Sequence, residues 1–285
     1  MTDRIVSKRL FSIRYKTSFL ENLAKKRSIL YRDITLSGDL IIIACVSIHG
    51  YISVISQYGK ELYRIGTGSV RSPYGLCASF DFIYVTDIYF HTLGKYSLNG
   101  RLIARIGKQG GNNGEFDLPY GLTVDNTGNI LYVTDNRNHR IQVFTSDLEF
   151  ITSFGTNIFN RVSDVKSCVD GSIVVLDNSG RRLHKLSPDF YQVRTVHTHI
   201  PPVNLITLYY PLFFCVDTSD NIFISDRYSF CIQVFDSNLV HLSSFIGNVL
   251  SDKMKLDPKG IVCDDNGVIM CLSDSGPFIR IFKAS

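Results

Sequence analysis

The stretch Glu115–Gly155, EFDLPYGLTVDNTGNILYVTDNRNHRIQVFTSDLEFITSFG, decides the fold. It contains four short segments rich in Val, Ile, Leu, Phe and Thr, most of which favour extended backbone. Turn-forming residues flank each segment. The four segments are Tyr120–Asp125, Asn129–Asp135, Arg140–Ser146 and Glu149–Gly155. They predict one antiparallel sheet of four strands. A single sheet of this kind leaves its edges and one face uncovered, so it needs copies of itself beside it.

The rest of the chain repeats this unit. The Asp that ends the second segment recurs at steps of 48, 42, 49 and 48 residues, at Asp87, Asp135, Asp177, Asp226 and Asp274. A degraded first copy, Ile43–Cys45, lies 42 residues before Asp87. A period of roughly 40–50 residues with four strands per unit is the signature of a β-propeller. The sequence therefore predicts an all-β, six-bladed β-propeller of four-stranded antiparallel blades, in a single domain over residues 1–285.

The repeated pattern resembles a known family. Its fullest form, Pro-Tyr-Gly-Leu-x-Val-Asp-x-x-Gly-Asn-Ile-x-Val-x-Asp-x-x-Asn-x-Arg-Ile-Gln-Val-Phe, is similar to the NHL repeat of TRIM-NHL propeller domains. Leu118–Phe144 matches almost throughout and Asp217–Phe235 matches well, and the resemblance extends roughly from Leu30 to the C-terminus. It implies the propeller fold. It leaves the function open, because similar propellers serve as protein scaffolds, RNA readers, sensor domains and a few lyases.

The last copy ends after its third strand. An unpaired outer edge in a ring invites aggregation. We therefore expect residues 1–29 to close the propeller, with Arg4–Tyr15 as a strand that pairs with Phe278–Phe282 and a short helix after Ser18. The alternative is a disordered basic tail. Residues 30–285 then hold the six repeats.

Composition predicts a cytoplasmic protein without a membrane span. The longest apolar run, Asp39–Val46, is far below the ~18 residues that a span requires, and the N-terminus lacks the features of a signal peptide. The nucleus is not excluded. The number of cysteines is odd, seven, and no CxxC pair occurs, so we expect reduced thiols and no disulfide partner. The repeat register aligns Cys77, Cys168 and Cys215 with Thr123, a position for small packing residues.

No catalytic motif is recognisable in the chain. The recurring Asp residues belong to different blades, so we expect them to accept backbone N–H bonds or to pair with Arg140 and Arg182. His197 and His199, together with His49, His91 or His139, are the candidates for a metal site in a propeller lyase or hydrolase. That is the third alternative. We expect no cofactor, no metal and no enzymatic activity.

The loops offer a ligand-binding face instead. In a propeller, the loops between second and third strands and the links between blades emerge on one side. The predicted binding residues there are Arg71, Tyr74, Tyr89, His91, Tyr120, Arg137, His139, Arg161, Arg181, Arg227 and Tyr228. Tyr and Arg dominate protein hot spots, which favours a scaffold that binds a protein or peptide. Single-stranded RNA is the alternative, although the net charge of +4 is mild for a nucleic-acid binder. We expect Arg137, Arg181 and Arg227 to ring the channel mouth.

Overall fold

The computed structural model describes residues 29–179, 181–197, 208, 210–246, 257–273 and 279–283. These residues form six antiparallel sheets, each from consecutive strands. The only helical element among them is a 3-10 turn, Asn136–Asn138. No helix in these ranges is long and apolar enough to cross a membrane.

Five of the sheets are four-stranded blades. Blade 1 consists of β1 Leu30–Ser37, β2 Leu40–Val46, β3 Tyr51–Ser56 and β4 Glu61–Ile65. Blade 2 consists of β5 Pro73–Ser79, β6 Phe82–Asp87, β7 Thr92–Ser97 and β8 Leu102–Ile106. Blade 3 consists of β9 Pro119–Val124, β10 Ile130–Asp135, β11 Arg140–Thr145 and β12 Phe150–Phe154. Blade 4 consists of β13 Val162–Ser167, β14 Ile173–Asp177, β15 Arg182–Leu186 and β16 Val193–His197. Blade 5 consists of β17 Pro211–Val216, β18 Ile222–Asp226, β19 Cys231–Phe235 and β20 His241–Ile246.

The last sheet corrects the predicted architecture. It has three strands, β21 Pro258–Cys263, β22 Val268–Ser273 and β23 Ile279–Lys283. The prediction of six four-stranded blades is therefore wrong: the described residues form five complete blades. The last repeat ends after its third strand, so a complete sixth blade depended on a strand from elsewhere in the chain. The expected pairing of Arg4–Tyr15 with Phe278–Phe282 falls largely outside the described residues.

The first strand of every sheet lies at the axis. Each of β1, β5, β9, β13, β17 and β21 packs beside the next, and β21 also packs beside β1, so the sheets close into a ring. The hydrophobic core lies between neighbouring sheets in six separate clusters. Tyr84, Leu131 and Phe144, for example, are fully or almost fully buried between blades 2 and 3.

The recurring Asp residues have the predicted structural role. Each described one accepts a backbone N–H of the preceding inter-blade link: Asp87 from Arg71 at 2.6 Å, Asp135 from Asp117 at 2.7 Å, Asp177 from Arg161 at 2.9 Å and Asp226 from Tyr210 at 2.9 Å. Asp274 lies outside the described ranges. Arg140 pairs with Asp135 at 2.9 Å as expected, whereas the Nε of Arg182 has no hydrogen-bond partner in the described part of the chain.

All seven cysteines are free thiols, and all but the half-buried Cys263 are buried. The strand register changes the predicted alignment of one of them. Lys166 pairs with Val174 as Thr123 pairs with Tyr132, so Lys166 occupies the position assigned to Cys168. The fourth repeat lacks the Pro-Tyr-Gly that identifies this register in the second and third repeats, which explains the two-residue error.

Candidate ligand-binding face

The inter-blade links and the loops between second and third strands lie on one side of the propeller, called the upper face. Backbone hydrogen bonds join the two kinds of segment directly. The N–H of Ile88 donates to Ser72 at 3.1 Å, and that of Asn178 donates to Arg161 at 2.9 Å. Corresponding bonds occur in blades 3 and 5. The turns between first and second strands therefore lie on the opposite, lower face.

Two tyrosines meet where the upper face reaches the axis. Tyr74 and Tyr120 come from the Pro-Tyr-Gly sequences of adjacent blades, and their rings stack with centroids 4.3 Å apart and planes 17° apart. Phe213 lies on the other side of Tyr74, with ring centroids 5.4 Å apart. The guanidinium of Arg32, from β1, lies 5.4 Å from the centre of the Tyr74 ring. Tyr74 is consequently only 5% exposed.

Three arginines act electrostatically on Tyr120. Burial raises the pKa of Tyr120, and Tyr210 raises it further, while Arg32, Arg137 and Arg161 oppose the shift because they stabilise the phenolate. We call Arg32, Tyr74, Tyr120, Arg137 and Arg161 the axial mouth. Burial also raises the pKa of Tyr74 above its usual range, with Tyr120 adding to the effect. Both hydroxyls are therefore protonated donors at neutral pH.

The axial mouth has more donors than acceptors. The Nε of Arg32 is buried and has no hydrogen-bond partner among the described residues. Arg161 is exposed and makes no ion pair there. Arg137 has one weak partner, since its Nη1 lies 4.0 Å from Asp117.

The remaining predicted aromatic residues lie further out on the upper face. The guanidinium of Arg71 lies 3.8 Å above the centre of the Tyr89 ring, which is 51% exposed. Tyr228 is 62% exposed and contacts Tyr210, with ring centroids 4.9 Å apart. These rings are accessible, whereas Tyr74 is not.

Four predicted residues are engaged within the protein. The Nδ1 of His91 accepts the N–H of Leu118 at 3.2 Å, and the Nδ1 of His139 contacts the carbonyl of Asn160. The Nε of Arg227 lies 2.8 Å from Asp257. The backbone N–H of Arg181 donates to Asn178 at 3.2 Å. Of the three arginines expected to ring the channel, Arg137 is the one that acts on Tyr120; Arg32 and Arg161 supply the other two positive charges.

A buried group of charges lies next to the axial mouth along the axis. Asp33 accepts the N–H of Leu76 at 2.8 Å, and Asp164 accepts the N–H of Phe214 at 3.1 Å. The Nζ of Lys166 lies 2.8 Å from Asp164. Burial raises the pKa of Asp33 to about 7, against the opposing effect of Lys166 and with the support of Asp164. Burial raises the pKa of Asp164 as well.

Sequence reasoning missed Arg32, Asp33, Asp164 and Lys166. A signal existed in the register of the degraded first repeat, because Tyr31-Arg32-Asp33 aligns with Pro73-Tyr74-Gly75 once β1 is paired with β2. A cavity of about 200 Å³ also lies along the axis. Its lining includes one side chain from the same position of each inner strand: Thr35, Cys77, Thr123, Lys166, Cys215 and Val262.

One three-residue group of metal-ligand type lies on the lower face. Cys168, Asp170 and Asp220 place their ligand atoms within 4.8 Å of one another, the only such group in the described part of the chain. Asp170 already pairs with Lys185 at 3.1 Å, and Asp220 accepts the N–H of Val169 at 2.8 Å. Burial raises the pKa of Cys168 to about 11, so its thiol is protonated at neutral pH. This group gives no support to the lyase or hydrolase alternative.

Comparison with known proteins agrees with the fold. The NHL repeat model matches residues 116–144 and 208–235. A hydrazine synthase structure from Kuenenia stuttgartiensis superimposes with a TM-score of 0.66 and 11% identity, over 90% of this chain and 96% of that chain. An inactive virginiamycin B lyase from Staphylococcus aureus with quinupristin superimposes with a TM-score of 0.64 and 15% identity, over 92% of this chain and 97% of that chain. A nidogen/laminin complex superimposes with a TM-score of 0.63 and 14% identity, over 76% of this chain and 80% of that chain. At these identities the likeness concerns the fold alone.

Proposed function

We propose that this chain, an NHL-repeat β-propeller, is a non-enzymatic interaction scaffold that binds an acidic protein segment or peptide on its upper face. The observation that carries the proposal is the axial mouth, where Arg32 lies over Tyr74, Tyr74 stacks on Tyr120, and Arg32, Arg137 and Arg161 act electrostatically on Tyr120. Arg and Tyr are the residue types that most often dominate protein interfaces. The strands pack against neighbouring blades, so the loops are the part of the molecule that is available to bind a partner.

The charge of the two faces supports the same orientation. The six turns between first and second strands, on the lower face, contain eight Asp and no Lys or Arg: Asp39, Asp81, Asp125, Asp170, Asp217, Asp220, Asp264 and Asp265. An acidic partner is repelled by that face and attracted to the upper one.

The test is capture of partners from a lysate of the source cells. The bait is compared with a variant carrying Arg137→Glu and Arg161→Glu, which adds negative charge to the axial mouth without touching the Arg227–Asp257 pair. The matched control carries Lys60→Glu and Arg101→Glu, two exposed residues in lower-face turns. We expect the captured proteins to be lost with the first variant and retained with the control. Loss with the control alone would place binding on the lower face.

Single-stranded RNA is the second candidate, favoured by the exposed rings of Tyr89 and Tyr228 and by the cation above Tyr89. Bases stack on exposed aromatic rings and phosphates contact arginines. RNase treatment of the lysate separates the two candidates. If RNA is the ligand, capture is lost with RNase, and binding of the recovered RNA falls steeply with salt because counterions are released.

A further inference from the structure

We infer that the axial mouth is a binding site for a phosphoryl group, presented by a phosphorylated side chain of the bound peptide. The inference rests on the proposed function, because it names the chemistry that the upper face recognises. It concerns Arg32, Arg137, Arg161 and the hydroxyls of Tyr74 and Tyr120.

Arg32 is the first observation. Its Nε is buried and lacks a hydrogen-bond partner, and none of the described carboxylates lies within 4.0 Å of its guanidinium. Buried donors in proteins almost always have an acceptor, so a guanidinium N–H without one among the described residues is able to bind an acceptor of a ligand. The neighbouring Asp33 accepts the N–H groups of Ile34 and Leu76 and makes no ion pair with Arg32.

The balance of charge is the second observation. Two other arginines of the described structure are paired closely with carboxylates, Arg140 with Asp135 at 2.9 Å and Arg227 with Asp257 at 2.8 Å. At the axial mouth, two guanidiniums have no ion pair with a described residue and the third lies 4.0 Å from its carboxylate. Roughly two positive charges of the mouth therefore lack a directly paired carboxylate in the described part of the chain. A phosphoryl group carries about −1.5 to −2 at neutral pH and matches them better than one carboxylate does.

The hydrogen-bond donors of the axial mouth match a phosphoryl group in number as well as in charge. Neither the Tyr74 nor the Tyr120 hydroxyl makes a hydrogen bond within the described residues, and both are protonated at neutral pH, from which burial moves their pKa further away. A phosphoryl group offers three acceptor oxygens, and guanidiniums contact two of these oxygens at once. The axial mouth therefore combines planar charged donors with neutral hydroxyl donors.

The arrangement favours a phosphorylated peptide over a nucleic acid strand. A strand-binding groove needs cations spaced along its length and free ring faces for the bases. Here Arg32 lies over Tyr74, Arg137 and Arg161 act electrostatically on Tyr120, and the rings of Tyr74 and Tyr120 cover each other. Further out, Lys108 and Arg227 are paired with Glu115 and Asp257. One concentrated anion fits this pattern, and a line of phosphates does not.

The experiment measures binding of labelled degenerate peptide pools with a central phosphoserine, phosphotyrosine, glutamate or serine, at constant ionic strength. Inorganic phosphate serves as competitor. We expect at least one phosphorylated pool to bind more tightly than the glutamate pool and to be displaced by phosphate. Arg32→Gln and Arg161→Gln should each weaken that binding about tenfold or more, since each removes charge-assisted hydrogen bonds. Arg101→Gln, an equal charge change on the lower face, should leave it unchanged.

Two variants keep the test decisive. Arg32 packs against Tyr74, so Arg32→Gln is interpreted only if its melting temperature is unchanged; Arg161 is exposed, and Arg161→Gln decides in the other case. Equal binding by the wild type and Arg161→Gln, or equal binding of the phosphoserine, phosphotyrosine and glutamate pools, overturns the inference. Stronger binding of a single-stranded oligonucleotide at the same residues overturns the peptide source.

The outcomes also separate this inference from the proposed function. If the captured partner depends on Arg137 and Arg161 but phosphate does not compete with it, the phosphoryl site is wrong and the scaffold stands. If phosphorylated pools bind through Arg161 but no captured protein depends on the upper face, the scaffold is wrong and the anion site stands.

Discussion

Single aspartates join three sheets at the axis. Asp164 of blade 4 accepts a hydrogen bond from Phe214 of blade 5, and on its other side it lies against Gly121 of blade 3. Asp33 of blade 1 repeats the arrangement, with Leu76 of blade 2 and Gly260 of the three-stranded sheet. A glycine is required at the contact, because a Cβ on Gly260 would lie 2.5 Å from the Asp33 Cα. The Gly of the Pro-Tyr-Gly pattern thus allows close approach of neighbouring sheets.

The change Gly121→Ala tests this contact. The added Cβ would lie 2.6 Å from the Asp164 Cα and would overlap its carboxylate. We expect the free energy of unfolding to fall by about 1–3 kcal/mol, as overpacking of a rigid interior does. Urea denaturation of Gly111→Ala is the control, since the nearest atom to that Cβ is 3.7 Å away and a change within about 0.5 kcal/mol is expected. Equal losses in the two variants would contradict the assignment.

At the scale of the element, one side chain holds a long link. Residues 107–118 connect blades 2 and 3, and Gln142 of β11 bonds both the carbonyl of Glu115 at 2.6 Å and the N–H of Gly114 at 2.9 Å. In blade 5 the same motif position, Gln233, is used differently. Its Oε1 lies 2.5 Å from Ser244 and 2.9 Å from His241, both on the outer strand. The same residue of the repeat therefore stabilises a link in one blade and an outer strand in another.

The change Gln142→Leu should release the link while the blades stay folded. We expect amide hydrogen exchange at Gly114 to accelerate by on the order of fivefold to tenfold, which corresponds to the loss of about one hydrogen bond. The circular dichroism spectrum should not change. Gln233→Leu is the matched control and should leave the exchange of Gly114 as it is in the wild type. No acceleration in Gln142→Leu would mean that Arg140, which donates to the carbonyl of Asn112 at 2.8 Å, holds the link alone.

At the scale of the whole molecule, a carboxyl group buried at the axis makes the free energy of unfolding depend on pH. Asp33 is buried in the ring, and the other titratable groups that act on it are Lys166 and Asp164. Burial raises its pKa from 3.8 to about 7. Between these values the unfolded chain has lost the Asp33 proton while the folded protein retains it. The unfolded state binds fewer protons there, so this group makes stability fall as pH rises from about 4 to about 7, and its contribution is constant above that.

Asp33→Asn should remove that contribution. The expected result is a smaller decrease in the free energy of unfolding between pH 4 and pH 7 than in the wild type, measured by urea denaturation at several pH values. The amide of the variant has one oxygen to accept the two N–H groups that the Asp33 carboxylate binds, so the variant also loses stability at every pH. The comparison with the wild type therefore uses the change in the free energy of unfolding with pH and not its absolute value. Asp81→Asn, at an exposed lower-face turn, controls for the loss of one carboxyl group. A slope equal to that of the wild type would show that Asp33 titrates normally.

The sequence alone was sufficient for the repeating unit. The period, the Asp at the end of each second strand and the turn residues are local signals, and each depends on residues a few positions apart. Four of the five Asp positions are seen in their predicted role, and two of the repeats match the NHL model. A complete sixth blade depended instead on a strand from the N-terminal segment, and local signals do not determine such a distant pairing. Six four-stranded blades were predicted, and the described residues form five.

Only the tertiary structure decided which side chains meet at the axis. Asp164 reaches a partner 50 residues away and Asp33 a partner 43 residues away, and Arg32 lies over a tyrosine of the next blade. Tyr74 was expected to be an accessible ring, but Tyr120, Phe213 and Arg32 bury it from three different strands. Contacts of this kind follow from the closure of the ring, which brings six inner strands together whatever their separation along the chain. The sequence therefore placed Tyr74, Tyr120, Arg137 and Arg161 on one face, and only the folded molecule showed that Tyr74 and Tyr120 stack and that Arg32 lies over Tyr74.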